Sequence, residues 1–418
     1  MTVLQRSQNN KSDLLIKLLL VFYVVWKMPI VALYTNTYLA MIALVLLMIQ
    51  LFKDGDFLYK APMMFAAAIA MLLITMIDLS QQVENWFNIV WSCFLDFLPM
   101  ILGAVLIYYK KDNLIRTVVP VLLITYVITC ITTYNGLQEY PMASRELATG
   151  SVDYAPYYAK NIGGFNFIYS LVILHPMFVC VLWGHKKKIL SIALTVLIGI
   201  CIMESRYTTA ALTFLISCVA YVLPTQEGRK NNVARWILIV LIMVVVYAMA
   251  PAILDRLAET EALEASSDKL KDIAKMLRGE STDTESFMNR EKAYEQSWKG
   301  FLRSPIWGCE IMTGIYSYNG GHSYVLDMLA KWGVLGILPV IYALRLILKY
   351  YRQMSKGHAV FYCMLLSYGL LLVLIFLNAS FWSYEAGFLV PVFAYYAMML
   401  ERKPEDAEQE QSIEEKTV

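Results

Sequence analysis

The chain has 418 residues, of which 59% are apolar and only 16% are charged, and its formal net charge is +2. A soluble domain this apolar would expose large hydrophobic patches and aggregate, so the composition excludes an ordinary soluble protein. The small net charge also gives no reason to expect a nucleic-acid partner. The stretches 162–184, 236–254 and 359–384 contain no Asp, Glu, Lys or Arg, and roughly 20 such residues cross a hydrocarbon core of about 30 Å. We therefore expect an integral membrane protein.

The apolar runs predict an all-α fold, a polytopic transmembrane bundle of about twelve helices. The predicted helices lie at 13–33, 36–52, 61–79, 87–109, 114–135, 162–183, 189–204, 206–223, 235–254, 323–348, 359–378 and 382–400. The first run lacks a small-residue cleavage pattern, so we expect a retained helix and not a signal peptide.

These helices divide the chain into four parts. Residues 1–254 contain the first nine helices, with an outer loop at 134–161. Residues 255–322 form a large extracytoplasmic loop with amphipathic helices, and residues 323–400 contain the last three transmembrane helices. Residues 401–418 form an acidic tail, which we expect in the cytoplasm.

Basic residues fall in every second connection between the predicted helices. They are Lys53 and Lys60, Lys110 and Lys111, Lys186 to Lys188, Arg229, Lys230 and Arg235, and Lys349, Arg352 and Lys356. Because Lys and Arg concentrate on the cytoplasmic side of membrane proteins, both termini are expected in the cytoplasm. The segments 134–161 and 255–322 are then expected outside.

Other motifs in the sequence give little evidence of function. Seven cysteines are scattered without a CxxC pair, so the pattern predicts neither a disulfide framework nor a structural zinc site. The chain contains no glycine-rich phosphate loop of the Walker type, and nothing else indicates that it consumes nucleotide.

The long outer segment predicts two amphipathic helices lying along the membrane surface. The first has apolar residues at helical spacing, and the second has an aromatic side and ends before Pro305. The apolar positions are Leu270, Ile273, Ala274 and Leu277 in the first helix, and Phe287, Tyr294, Trp298 and Phe301 in the second. Thr282 and Glu285 form a capping box for the second helix. From periodicity alone, a purely structural cap explains this segment equally well.

Three arginines are candidates for chemistry on the outer face. Arg206 lies in a nearly loopless junction between two short helices, where an ionisable residue is costly unless it pairs or lines a water-filled cavity. A pair with Glu204, or a side chain that reaches the lipid headgroups, is the structural alternative. Arg145 in the outer loop has the alternative of an ordinary solvated arginine. Arg290 lies one turn before Tyr294 and thus shares the aromatic side of the second surface helix.

His322 is the fourth candidate. It follows Gly320 and Gly321, which allow close approach of the backbone to a ligand, and it precedes a helix at the outer surface. A neutral imidazole can take a proton from a hydroxyl, which is the task of a general base. A histidine that only caps a helix or packs at an interface is the alternative. Asp327 and Lys331, one turn apart, are expected to neutralise each other.

Several stretches around these candidates carry a family resemblance. They are Arg290, Trp298-Lys299-Gly300-Phe301, Ser304-Pro305-Ile306-Trp307-Gly308, Gly321-His322-Ser323-Tyr324-Val325-Leu326 and Lys331-Trp332-Gly333-Val334-Leu335-Gly336. Together they resemble the O-antigen ligase and polymerase superfamily, with Arg206 similar to the family's membrane arginine and Arg145 to its outer-loop arginine. The likeness extends over residues 140–345. Ser323 departs from it, because the family often has asparagine after the histidine.

The resemblance implies a membrane glycosyltransferase of the bacterial cytoplasmic (inner) membrane. Its donor and acceptor would be undecaprenyl-pyrophosphate-linked glycans, with His322 as the base and with Arg206, Arg290 and a supporting Arg145 at the pyrophosphate. Arginine suits this task because its planar fork binds phosphate oxygens bidentately and keeps its charge. No metal and no other cofactor is expected, since the arginines supply the positive charge. Membrane lipid and the chain-length regulator and flippase of the same pathway are the partners implied.

Two functions within the family fit the sequence, and a third comes from another class. A polymerase joins repeat units into surface polysaccharide such as O-antigen or capsule, whereas a ligase moves finished glycan to an acceptor such as lipid A core. We prefer the polymerase, because nothing in the sequence suggests a lipid A partner. A lipid-linked oligosaccharide flippase would need charged residues along a cavity through most of the membrane, but the candidates gather on the outer side.

Overall fold

The computed structural model of the chain describes residues 3–26, 28, 37–52, 99, 100, 102–148, 155–221, 285–309, 320–354, 360–378, 380, 382 and 384–401, with scattered positions between 251 and 278. Within these residues every regular element is a helix, so the all-α prediction is confirmed for this part of the chain.

The helices are numbered here in chain order. They are α1 (Val3–Trp26), α2 (Thr37–Phe52), α3 (Asp112–Glu139), α4 (Ala143–Glu146), α5 (Ala155–Ala159), α6 (Phe165–Gly184), α7 (Lys188–Glu204), α8 (Thr208–Ser217), α9 (Glu285–Arg303), α10 (Tyr324–Met354), α11 (Val360–Leu377) and α12 (Val390–Glu401). A 3₁₀ turn (Cys218–Tyr221) extends α8, and a π-helical turn (Glu385–Leu389) leads into α12.

Eight of these helices lie within a few residues of a predicted transmembrane helix: α2, α3, α6, α7, α8, α10, α11 and α12. Helix α1 begins at Val3, ten residues before the predicted start at 13. The predicted helices at 61–79 and 235–254, most of the one at 87–109 and the capping box at 282–285 fall largely or wholly outside the described residues, so the number of spans stays a prediction.

Three of the described helices are long and apolar enough to cross a membrane: α3, α6 and α11. Shorter apolar helices run over Leu14–Trp26 and Thr208–Tyr221. These helices agree with the composition, and the chain is accordingly treated as a membrane protein.

Helix α6 forms the centre of the bundle. It packs against α7, α8, α11 and α12, and nearly all of its side chains between Phe167 and Leu182 are buried. Such a helix can be uncharged along its whole length because protein surrounds it on several sides. At one end of the bundle α3 and α7 finish and α6 and α8 begin; we call this the site end and the opposite end the far end.

Helix α9 coincides with the second amphipathic helix predicted from the sequence, and it ends before Pro305 as expected. Its position along the membrane surface stays a prediction. It packs against α10. Helix α10 is interrupted at Gly333, whose φ of 63° is outside the helical range. The kink separates a short first part, which contacts α9, from the longer remainder.

Candidate active site

Arg206 lies in the short connection between α7 and α8, where its φ is 57°. Ser205 beside it is fully buried, and its hydroxyl donates to the carbonyl of Ile202 at 2.7 Å. The same left-handed backbone occurs at Lys110 and Lys186, which close helices at the far end, where a cation interacts favourably with the helix dipole. The end of α7 therefore accounts for the left-handed backbone conformation of Arg206 without any functional role.

The guanidinium of Arg206 is directed toward the connection from α3 to α6, which contains Arg145. Its Nη1 lies 3.7 Å from the sulfur of Met142, and a thioether is only a weak acceptor. In the described part of the chain no carboxylate lies within ion-pair distance of Arg206. The alternative of a Glu204 pair is therefore not realised, and the guanidinium keeps its hydrogen-bonding capacity for another group.

Arg145 lies in the single turn of α4, and the backbone beside it is held from two sides. The hydroxyl of Ser144 donates to the carbonyl of Gly163, at the entrance to α6. The hydroxyl of Tyr207 donates to the carbonyl of Ser144 at 2.7 Å. Since Tyr207 directly follows Arg206, these contacts fix the loop of one arginine to the junction of the other.

Four aromatic rings form a floor between these elements: Phe165, Tyr169, Tyr207 and Trp382. The ring centroids of Phe165 and Tyr169 lie 4.6 Å apart, and those of Tyr169 and Trp382 lie 5.5 Å apart. Tyr207 closes the group at 5.6 Å from Tyr169. Phe165 and Trp382 are stacked at 5.8 Å. Tyr169 and Trp382 are buried, while Phe165 and Tyr207 remain half-buried. We call these four residues the aromatic floor.

Two of the candidate arginines act on the aromatic floor electrostatically. The positive charges of Arg290 and Arg145 both act on the hydroxyl of Tyr169, and the charge of Arg145 also acts on Tyr207. Electrostatic interactions between groups of this kind fade with distance and screening. The floor therefore lies within electrostatic range of an arginine in the connection from α3 to α6 and of an arginine on α9, which are far apart in the sequence.

Arg290 itself is exposed on α9. One turn later Tyr294 extends toward α11 and donates to the carbonyl of Leu377 at 3.3 Å. Burial raises the pKa of the Tyr294 phenol; the charge of Arg290 opposes this rise and the charge of Asp327 adds to it. Tyr294 thus lies between the two charged groups and connects the arginine helix to the bundle.

His322 is exposed on the segment that enters α10, and this segment is closely attached to α9. A Cβ atom at Gly320 would collide with the backbone of Ala293, so only glycine permits this approach. The amide of Gly320 donates to the hydroxyl of Ser297 at 2.7 Å. Ala293 lies one turn after Arg290, so His322 enters the same region of the molecule.

Asp327 completes the attachment from the α10 side. Its carboxylate accepts the hydroxyl of Ser297 at 2.6 Å and the amide of Gly321 at 3.2 Å. The sequence predicted a neutralising contact with Lys331; the structure adds these partners across the helix pair. Asp327 is buried and therefore acts as a link between α9, the glycine turn and α10.

Arg145 and Arg290 thus act electrostatically on the aromatic floor, Arg206 directly precedes its member Tyr207, and the segment of His322 is attached to the helix of Arg290. Among the described residues, no hydrogen bond joins His322 to an arginine. Also among them, no three side chains of the metal-ligating types lie together. The arrangement offers three guanidinium groups for an anion and one imidazole for a proton.

Comparison with known protein families gives an independent result. Residues 191–341 match the family described as O-antigen ligase. The match supports the resemblance of the chain to the O-antigen ligase and polymerase superfamily. It covers about a third of the chain and runs from α7 into α10, so it includes Arg206, Arg290 and His322. Arg145 lies outside it. A comparison with curated proteins gave no match.

Members of this superfamily are membrane enzymes of the glycosyltransferase type.

Two glycines in residues 191–341, which we call the O-antigen ligase region, have a structural role that the sequence did not reveal. A Cβ atom at Gly308 would collide with the backbone at Lys331, and one at Gly333 would collide with the carbonyl of Ile306. The amide of Val334 donates to the carbonyl of Pro305 at 2.8 Å. The turn after α9 is therefore packed directly into the kink of α10, and we call this contact the glycine lock.

Sequence reasoning missed all four members of the aromatic floor and the partners of Asp327 on α9 and in the glycine turn. Tyr207 could have been noticed because it directly follows Arg206. Tyr169 and Trp382 stand in uncharged apolar runs, where an aromatic residue is far more often part of the core than of a site. No local pattern distinguishes them.

Proposed function

We propose that this protein polymerises undecaprenyl-pyrophosphate-linked oligosaccharide repeat units into surface polysaccharide, O-antigen or capsule, on the outer face of the bacterial inner membrane. The reaction is a metal-independent glycosyl transfer. The observation that supports the proposal is that the charges of Arg145 and Arg290 both act on Tyr169 of the aromatic floor, while Arg206 faces the loop of Arg145. Arg206, Arg290 and His322 lie within the residues that match the O-antigen ligase family.

Three guanidinium groups at one end of an apolar bundle suit a lipid pyrophosphate. Each guanidinium can make paired charge-assisted hydrogen bonds to phosphate oxygens and stays charged at any physiological pH. The half-buried rings of Phe165 and Tyr207 offer an apolar surface beside the phosphates for the first isoprene units of the carrier. Binding an amphiphile of this kind needs both features next to each other.

In the proposed step a hydroxyl of the acceptor glycan attacks the anomeric carbon of the donor. A carbon–oxygen bond forms there, and the bond between the anomeric carbon and the phosphate oxygen breaks with inversion. His322 takes the proton of the attacking hydroxyl. The bonding pair leaves with the pyrophosphate, whose growing negative charge is stabilised by Arg206 and Arg290, with Arg145 in support.

A ligase reaction is the second candidate, and the family description favours it. The two reactions share the donor, the leaving group and the base, and they differ only in the acceptor. In a polymerase the acceptor is another lipid-linked glycan; in a ligase it is an acceptor such as lipid A core. The assay must therefore vary the acceptor.

The decisive experiment reconstitutes the purified full-length protein in vesicles with an undecaprenyl-pyrophosphate-linked repeat unit, with a metal chelator and without nucleotide. A ladder of longer lipid-linked glycans is expected. Transfer only after addition of lipid A core would make the protein a ligase. Movement of the substrate across the bilayer without any transfer would reject the enzyme proposal.

A His322→Gln variant belongs in the same assay. Glutamine keeps the approximate size of the side chain but cannot accept the proton, so transfer is expected to fall by about a hundredfold or more. Binding of the lipid-linked donor is expected to persist, because the arginines are intact. Full transfer by this variant would remove His322 from the reaction.

A further inference from the structure

A groove with a volume of about 470 Å³ lies at the far end of the bundle, between α3, the connection from α6 to α7, and α12. Ile124 and Ile128 of α3 form one side, and Leu190 and Leu194 of α7 form another. Its volume is within the range of about 300–1,000 Å³ that is typical of ligand sites. Ile124, Ile128 and Leu190 are exposed, so in a bilayer the groove opens to hydrocarbon.

The polar groups of the groove gather at its rim. The Nε2 atom of His185 lies 3.0 Å from the hydroxyl of the buried Tyr396. Partial desolvation, followed by the charge of Lys187, lowers the pKa of His185. Lys187 lines the groove as well. Arg116, exposed on α3, acts electrostatically on the hydroxyl of Tyr396. The cations of the rim are thus Lys187, which lines the groove, and Arg116, which lies outside the lining but within electrostatic range of Tyr396.

Among the described residues, neither cation of the rim has a carboxylate at ion-pair distance. Asp112, one turn before Arg116, accepts the hydroxyl of Tyr395 at 2.9 Å. Lys186 and Lys188 flank Lys187 and add to the positive charge of this connection. Positive charge without a neutralising partner, at the mouth of a groove that opens to hydrocarbon, is complementary to a ligand with an anionic head and an apolar tail.

We propose that this groove is a binding site for an anionic phospholipid of the bilayer, with an acyl chain between α3 and α7 and the phosphate at Arg116 and Lys187. Basic pockets between transmembrane helices are the usual form of such sites. The groove is at the opposite end of the bundle from the arginines of the candidate active site. The lipid is therefore neither donor nor acceptor in the proposed reaction, and it stabilises the contact of α3 with α7 and α12.

The test measures lipid retention by the purified full-length protein with native mass spectrometry, in detergent supplemented with phosphatidylglycerol or phosphatidylcholine. The wild type is expected to retain phosphatidylglycerol preferentially and to unfold at a higher temperature in its presence. Each of Arg116→Gln and Lys187→Gln is expected to weaken this binding about fivefold, the contribution of one basic residue near an anionic lipid surface. Equal retention of both lipids by the wild type would overturn the proposal.

Two further variants separate the groove from general surface charge. Lys349→Gln removes an exposed cation elsewhere on α10 and is expected to leave lipid binding unchanged. Ile124→Trp fills the groove with the rim intact and is expected to reduce phosphatidylglycerol retention. If Lys349→Gln weakened binding as much as Lys187→Gln, the groove would not be the site. A lipid-free dimer in the same spectra would assign the groove to a second copy of the chain, which also overturns the proposal.

Discussion

At the scale of single residues, the candidate site depends on where guanidinium groups are held without a competing carboxylate. Arg206 has a thioether as its neighbour, and Arg145 is held by a backbone that Tyr207 fixes from the next junction. An arginine with a carboxylate partner would have to lose that partner before it could bind a phosphate, which costs part of the binding energy. Among the described residues, neither Arg145 nor Arg206 has a carboxylate at ion-pair distance, so neither has such a partner to lose.

Arg206 tests the role of the guanidinium fork. We expect Arg206→Gln to lower the rate of glycan transfer by about a hundredfold, as is typical for loss of one donor to a developing anion. Arg206→Lys should recover only part of this loss, because an ammonium is a point charge without the planar fork. Rates of transfer in the vesicle assay measure both. Arg345→Gln, an exposed arginine of α10, is the control, and equal effects at both positions would contradict the assignment.

Tyr207 is expected to act as a positioning residue for Arg145. Tyr207→Phe keeps the ring in the aromatic floor but removes the 2.7 Å hydrogen bond to Ser144, at a cost of about 1 kcal/mol in stability. The half-saturating donor concentration should rise more than the maximal rate falls, since a binding group is displaced. Tyr342→Phe, exposed on α10, controls for loss of a hydroxyl. An unchanged donor dependence would leave Tyr207 with a structural role only.

At the scale of elements, the pair α9 and α10 forms the frame that relates Arg290 to His322. Two contacts hold it: the Ser297–Asp327 hydrogen bond with the glycine turn, and the glycine lock after α9. Both lie within the O-antigen ligase region. The short motifs on this helix pair are therefore explained in part by backbone contacts, and its candidates for chemistry are His322 and Arg290.

The glycine lock predicts that substitution by alanine changes the stability of the protein in opposite directions at two glycines. Gly333→Ala places a Cβ against the carbonyl of Ile306 at a φ of 63°, and such strain costs of the order of 1–3 kcal/mol. Gly369→Ala in α11 meets nothing within 4 Å and should gain up to about 1 kcal/mol in helix propensity. Thermal unfolding in detergent measures both. Equal melting temperatures would show that the turn and the kink are not in contact.

At the scale of the whole molecule, the orientation in the membrane decides whether the candidate active site faces the side on which the lipid-linked donor is present. The arginines of the site end and the lysines of the far end lie at opposite ends of α6 and α7. Lysines concentrate on cytoplasmic loops, so the site end is predicted to face outward, where a lipid-linked donor arrives already activated. The opposite orientation would place the arginines in the cytoplasm.

Cysteine accessibility tests this orientation. In spheroplasts, an impermeant maleimide is expected to label Lys299→Cys on α9, and to label Lys186→Cys only after the membrane is permeabilised. Both lysines are exposed, so access to the reagent is set by the side of the membrane. The six cysteines in the described residues are buried or half-buried, and the parent protein provides the background. A reversed pattern would contradict both the orientation and the proposed function.

The sequence by itself determined the membrane nature, the helical class and the positions of most described helices. The reason is physical: in hydrocarbon every backbone group must be satisfied within its own segment, so the length of an uncharged run largely decides its structure. Residue type was also sufficient to nominate Arg145, Arg206, Arg290 and His322.

Only the tertiary structure decided which of these residues meet. Arg145 and Arg290 both act electrostatically on Tyr169 because α4 and α9 both reach the site end of the bundle, and no local spacing contains that information. The aromatic floor could not be predicted from the sequence for the same reason, since Tyr169 and Trp382 resemble any other apolar core residue. Gly308 and Gly333 are likewise required by a close contact between two backbone segments. That contact depends on how α9 and α10 pack, and the periodicity of neither helix reveals it.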